Sequence, residues 1–149
     1  MTIAKTAAPA VKSLLRQATA LKPKRSKVSD GLLPSLAHQK QNPSSDHNTG
    51  FAVDLTHDPI FGFDGHELFE RFKVDKRVKY IIFWGKIWSP EKGDHDYTGV
   101  NQHKHHIHVS IKETAGEDTS NWFPWLPKPK KIETVKAAVK PLPKKKVVK

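Results

Sequence analysis

His103-Lys104-His105-His106-Ile107-His108-Val109-Ser110-Ile111-Lys112 is the stretch on which the fold turns. From His106 onward polar and apolar residues alternate. Side chains point to opposite faces of a strand in turn. The run therefore predicts a strand over 106–112, with Ile107, Val109 and Ile111 toward a core and His106, His108 and Ser110 on the other face. Working outward, 51–55 reads as a second strand and 78–84 as a buried third. Residues 85–88 read as its hairpin partner. The polar, glycine-bearing run 89–101 reads as a long loop, which inside a compact domain is often functional.

Helical spacing appears over 11–21, with Val11, Leu14, Leu15 and Ala18 on one stripe. Lys22-Pro23 ends it, and the helix either docks on the domain or belongs to a free arm. A short helix is expected over 32–41. Asp64 is placed to cap a third, with Glu67 completing a capping box. That helix runs to about residue 73 and gathers Leu68, Phe69 and Phe72 on one face. Helices beside a mostly antiparallel sheet give an α+β fold.

The 149 residues fit one domain and one modest core. There is no cysteine, which excludes disulfides and thiolate metal sites. No apolar run approaches the roughly 20 residues needed to span a bilayer. The start of the chain lacks the apolar stretch of a secretory signal.

The net charge of +11 is unevenly placed. Residues 1–28 hold 7 basic and no acidic residues, and 127–149 hold 9 lysines and one Glu. The middle, 29–126, holds 10 basic and 14 acidic residues. We therefore expect a basic N-terminal arm over 1–28, a folded domain over 29–126 and a disordered Lys/Pro-rich tail over 127–149. The tail has too little apolar surface to order itself. Basic ends suit a polyanion: an anionic wall polymer, a membrane surface or, less favoured given the acidic middle, nucleic acid.

The chemistry lies in two clusters. The first is Ser45-Asp46-His47-Asn48-Thr49-Gly50-Phe51-Ala52-Val53-Asp54. Gly50 permits a turn, so His47 from a loop and Asp54 from a strand can converge. The second is the histidine run, whose His108 offers a third ligand. Imidazole and carboxylate are ordinary zinc ligands, at ~2.0–2.2 Å, and three of them plus water make the usual catalytic arrangement. The competing reading is a histidine cluster that stores metal without catalysis. Asp46 and Asp58 are candidates to orient a ligand imidazole, although each is as readily a turn residue. Trp84, Trp88 and Tyr97 are candidates to line a groove or to pack at its rim. His38, His57, His66 and His95 suggest no partner.

The pattern Ser45-x-His47-x-x-Gly50-x-Ala52-x-Asp54, followed by His106-x-His108, resembles the LAS zinc metallopeptidases. These are the D-alanyl-D-alanine carboxypeptidases and murein endopeptidases of the M15 type, phage endolysins among them. His103-x-x-His106-x-His108 is similar to the spacing in penicillin-insensitive murein endopeptidases. The resemblance spans roughly 29–112. It implies a zinc ion on His47, Asp54 and His108, and a proton-transfer role for His106, with His103 as second candidate. Many family members carry a Glu in an E-x-x-H pattern here, and Gln102-His103-Lys104-His105 has none. The family often places an Arg upstream to steady the oxyanion. Here only Lys40 is available, which brings charge but not a bidentate fork.

The resemblance thus implies a monomeric enzyme that hydrolyses a peptide bond in peptidoglycan stem peptides. It would be made in the cytoplasm and act at the bacterial cell wall after a phage-type release. Two alternatives stand beside it. One is an HNH-like metal-dependent nuclease using Asp46-His47-Asn48. The other is a non-catalytic, zinc-stabilised polyanion-binding module with its metal fully liganded.

Overall fold

The computed structural model describes residues 6–34, 45–99 and 101–127. Helix α1 spans Pro9–Leu21, β1 Ala52–Thr56, α2 Gly65–Phe72, β2 Val78–Phe83, β3 Lys86–Ser89, β4 Gly93–Asp96 and β5 His106–Ile111. Short 3-10 turns cover Pro59–Phe61 and Glu113–Ala115. The five strands form one sheet in the order β1-β5-β2-β3-β4, every neighbouring pair antiparallel. The fold is α+β, as the patterning predicts.

The sheet has two unlike faces. Val53, Leu55, Val78, Ile81, Phe83, Ile107, Val109 and Ile111 point to one side and are all buried. There they meet Ala10, Val11, Leu14 and Ala18 of α1, Leu68, Phe69 and Phe72 of α2, and Trp122 and Phe123. Each such Leu, Phe or Val contributes about 1.5–3 kcal/mol by leaving water. Asp54, His106, His108 and Ser110 lie on the opposite face by strand alternation. With both helices on the apolar side, the polar face is left for the site.

Helix α1 starts with Pro9 in its first turn, where the missing N–H costs nothing. The Trp122 indole donates to the Ala10 carbonyl at 3.1 Å, and the Trp122 N–H donates to Gln17 at 2.8 Å. The expected arm over 1–28 is therefore corrected: it contributes a core helix. An alanine- and leucine-rich stripe that covers a sheet cannot float at low cost. Helix α2 starts as expected at Asp64, whose carboxylate accepts from the His66 N–H at 2.9 Å. Its first residue is Gly65 because a Cβ there would meet the Phe83 ring at 2.6 Å.

The loop expected over 89–101 is also corrected, since it contains β4. Positive φ at Gly93 turns the chain after β3. The edge strand that follows carries Asp94, His95 and Asp96 to solvent. Charges on an edge strand disguise it in a sequence and protect it from pairing with other chains. Of the helix expected over 32–41, only 32–34 are among the described residues, and Leu32 and Leu33 form a bend. The expected tail lies outside the described residues beyond Pro127.

Candidate metal centre

Three segments build the site. β1 supplies Asp54, β5 supplies its direct register partner His108, and the turn before β1 supplies His47. That turn closes through Gly50 N–H to the His47 carbonyl (3.2 Å) and Phe51 N–H to the Asp46 carbonyl (3.0 Å). Gly50 sits at φ +82°, a conformation that glycine adopts without cost. Asp54 Oδ1 then lies 3.1 Å from His47 Nε2 and 3.1 Å from His108 Nδ1. All three candidate ligand atoms fall within 4.8 Å of one another.

Each imidazole is held from behind. His47 Nδ1 lies 2.8 Å from the Leu32 carbonyl, which can only accept, so the proton sits on Nδ1 and the Nε2 lone pair faces Asp54. His108 Nε2 lies 2.8 Å from Ser110 Oγ. Metal-binding histidines are typically oriented in this way through the other ring nitrogen. The rings of His47 and His108 meet edge to face at 4.8 Å, and Tyr80 stacks on His108 at 5.5 Å with planes 16° apart. Burial pushes the Tyr80 phenol up to about 12, and the negative charge of Asp46 adds to the shift.

The electrostatics call for a positive charge at the centre. Burial opposes ionisation of Asp54, but hydrogen bonds and charge from His108 and His47 outweigh it and hold the carboxyl far below its ordinary range. Burial likewise opposes charge on His47, yet Asp54 outweighs it and raises the imidazole. A lone pair facing a carboxylate is favourable only with a proton or a cation between them. The 3.1 Å spacings suit a cation: tetrahedral ligands at ~2.0 Å sit about 3.3 Å apart. The buried group His47, Asp54 and His108 could therefore hold a metal ion.

Two further imidazoles border this group. His106 Nε2 lies 3.5 Å from the second oxygen of Asp54. The His103 ring centre lies 5.0 Å from that of His106 and 5.6 Å from that of His108. Burial lowers both, reinforced at His103 by the charges of His108 and His106, which bring it to about 4. Both are therefore neutral at pH 7. His103 Nδ1 donates to the Asn101 carbonyl at 2.7 Å, which leaves its Nε2 as a lone-pair base. His103 also has φ +57°, uncommon for a side chain of this kind. The β2–β3 turn holds it there, with Trp84 N–H donating to the His103 carbonyl (3.1 Å) and Gly85 N–H to that of Gln102 (2.9 Å).

The other candidates sort clearly. Lys40 and His38 lie outside the described residues. Asp58 accepts from the Ser26 N–H at 2.7 Å, and Asp46 pairs with Lys79 at 3.1 Å. Trp88 packs against the core. Trp84 stands beside His66 near the start of α2. The Tyr97 ring lies edge-on to that of His103 at 5.5 Å. His57 accepts from the Gly65 N–H at 2.9 Å, and His95 is exposed on β4.

Sequence reasoning missed the segment that anchors the site from outside. Gly31 pairs with Asp54 through both backbone bonds (3.1 and 2.8 Å), which brings the Leu32 carbonyl to His47. Asp30 locks this segment. It accepts from the fully buried Arg25 at 2.9 and 2.7 Å and from the Thr56 N–H and hydroxyl at 2.9 and 2.8 Å. The only hint in the sequence is an Arg and an Asp five apart in a basic stretch. Comparison with family models, curated proteins and solved structures finds no match to this chain.

Proposed function

We propose that this chain is a zinc peptidase that hydrolyses a peptide bond in peptidoglycan stem peptides. One observation carries the reading. Two motifs whose Asp54 and His108 are 54 residues apart converge on one sheet face as a His-Asp-His group, with two neutral imidazoles beside it. That is the arrangement which the resemblance to LAS metallopeptidases implies for these residues.

Bound zinc would polarise a substrate carbonyl and bring the pKa of a bound water near ~7. The protein's own residues do the rest. His47, Asp54 and His108 form a charge-matched cradle whose ligand atoms are fixed before a cation arrives. His106, beside the second Asp54 oxygen, takes the proton from the attacking water and returns it to the leaving amine. An imidazole held below its ordinary range is unprotonated at neutral pH, as a base must be. His103, whose ring borders those of His106 and His108, is the alternative base, its Nε2 lone pair set by the hydrogen bond to Asn101. The basic ends of the chain, residues 1–28 and 127–149, would draw the enzyme to anionic wall polymers.

The test is digestion of purified peptidoglycan with and without a chelator, with product termini read by mass spectrometry. New amino and carboxyl termini that vanish with chelator and return with zinc are expected. No new termini from zinc-loaded protein would overturn the reading, and metal-dependent nicking of DNA in their place would support the nuclease alternative.

A further inference from the structure

We propose that Asp30 is a positioning residue of the metal centre: pinned by Arg25 and Thr56, it holds the Leu32 carbonyl on His47 Nδ1 and so aims the Nε2 lone pair at the cation. The inference rests on the metal-site part of the reading above and not on the identity of the substrate.

Of the three candidate ligands, His47 comes from a turn and the other two from strands. Its turn bonds fix the backbone, and the Leu32 carbonyl, 2.8 Å from Nδ1, orients the ring. A carbonyl can only accept, so the ring proton is on Nδ1. Leu32 belongs to no strand. It is held through its neighbour Gly31, which forms an isolated bridge to Asp54 with two backbone bonds of 3.1 and 2.8 Å. A short bridge without a continuous ladder opens easily, so the carbonyl needs support from elsewhere.

Asp30 supplies that support. β1 is an edge strand, and Asp54 and Thr56 turn their N–H groups to its outer side. The Gly31 carbonyl accepts the first, and Asp30 Oδ1 accepts the second at 2.9 Å. The Thr56 hydroxyl donates to the same oxygen at 2.8 Å and accepts from the Ser29 N–H at 2.9 Å. Side-chain bonds thus extend the bridge where a ladder would otherwise do so. From the other side, Arg25 Nη1 and Nη2 donate to the two Asp30 oxygens at 2.9 and 2.7 Å. Arg25 is itself buried, 4.9 Å from the centre of the Phe63 ring, which ties the clamp to the core. Buried ion pairs add little net stability over apolar packing. What this pair supplies is position. Asp30 and Leu32 flank Gly31, so one clamp registers the Asp54 backbone and the His47 ring together.

The experiment uses full-length protein and zinc alone as probe. Zinc dissociation constants are measured by chelator competition for wild type, Asp30→Ala, Thr56→Val and Leu14→Ala. Ring-proton NMR of the zinc-loaded proteins follows the His47 Nδ1–H. Asp30→Ala removes the clamp and is expected to weaken zinc about 10–100-fold, the usual effect of losing a partner behind a ligand. Thr56→Val keeps the shape, removes only the hydroxyl and should weaken zinc about tenfold, the low end of that range. It carries the test if Asp30→Ala does not fold. Leu14→Ala loosens the core on the opposite face of the sheet and is the control for a general loss of stability. It should keep both the zinc affinity and the protected Nδ1–H signal of wild type, whereas that signal becomes fast-exchanging in the two clamp variants. Zinc affinity unchanged within about twofold in the clamp variants, against the tenfold or more expected, overturns the clamp and leaves the metal site standing. Equal weakening in Leu14→Ala also overturns the clamp, and a wild type with no zinc affinity overturns clamp and metal site together. Weakened zinc in the clamp variants of a wild type that leaves peptidoglycan intact supports the clamp and overturns only the peptidase reading.

Discussion

Asp54 and His108 are cross-strand partners on β1 and β5, with Oδ1 3.1 Å from Nδ1. The register of the sheet, more than loop geometry, thus places two of the three candidate metal ligands. His108→Ala removes one ligand and Asp54→Asn removes the charge with little change in shape. We expect the purified wild type to carry zinc and both variants to lose it, by elemental analysis after gel filtration. Zinc content equal to wild type in His108→Ala would sink the ligand assignment.

The proposed proton-transfer role of His106 and His103 separates them from the three candidate ligands. His106→Gln should retain zinc and lose about 10²–10⁴-fold in turnover, the scale of general acid–base catalysis. His103→Gln should lose less, since it is His106 whose Nε2 lies 3.5 Å from the Asp54 carboxylate. Steady-state cleavage of a stem-peptide substrate, with zinc content measured on the same samples, checks both. The reverse ranking would make His103 the base, and zinc loss in His106→Gln would make it a ligand.

The N-terminal helix offers a test of the fold. Leu14 is fully buried among the residues that cover the sheet. Leu14→Ala should destabilise the protein by about 2–5 kcal/mol, as large-to-small core changes do. Denaturant unfolding measures it. A free arm would give no change.

The Arg25–Asp30 pair should leave a mark on stability against pH. Burial opposes the charge on Asp30, but Arg25 and the Thr56 N–H and hydroxyl outweigh it, and its pKa is lowered. A carboxyl lowered in the folded state stabilises the protein fully above its unfolded value, ~3.9. The contribution is lost as pH falls from there through the folded-state value. Asp30→Asn should flatten that acid limb in urea titrations across pH 2–6, a range that brackets the ~3.9 midpoint. Arg25→Met should destabilise the protein at pH 7, because it leaves the half-buried Asp30 carboxylate with only the Thr56 N–H and hydroxyl as partners. Parallel acid limbs in wild type and Asp30→Asn would show that Asp30 is not held below its usual range.

Strand alternation at 106–111 and the paired motifs around His47 and His108 made the sheet, its polar face and the cradle legible before any coordinates. What escaped the sequence has definite physical causes. β4 hides because an edge strand needs no apolar pattern. α1 is legible as a helix, but whether a lone stripe docks depends on Trp122, more than 100 positions away. Tyr80 hides because a bulge breaks the alternation by which it would be placed. The Leu32 carbonyl that orients His47 is a backbone atom, and its identity leaves no trace in a side-chain motif.

The account stands on a cation held by His47 Nε2, Asp54 Oδ1 and His108 Nδ1 with a position left for water. X-ray absorption at the zinc edge, joined to anomalous diffraction from a crystal of the zinc-loaded protein, tests this directly. The predicted result is a single zinc at that point, with these three ligands at ~2.0–2.2 Å and a fourth, exchangeable oxygen from solvent. Zinc bound elsewhere, no zinc, or a fourth position closed by a protein side chain such as that of His106 would contradict it.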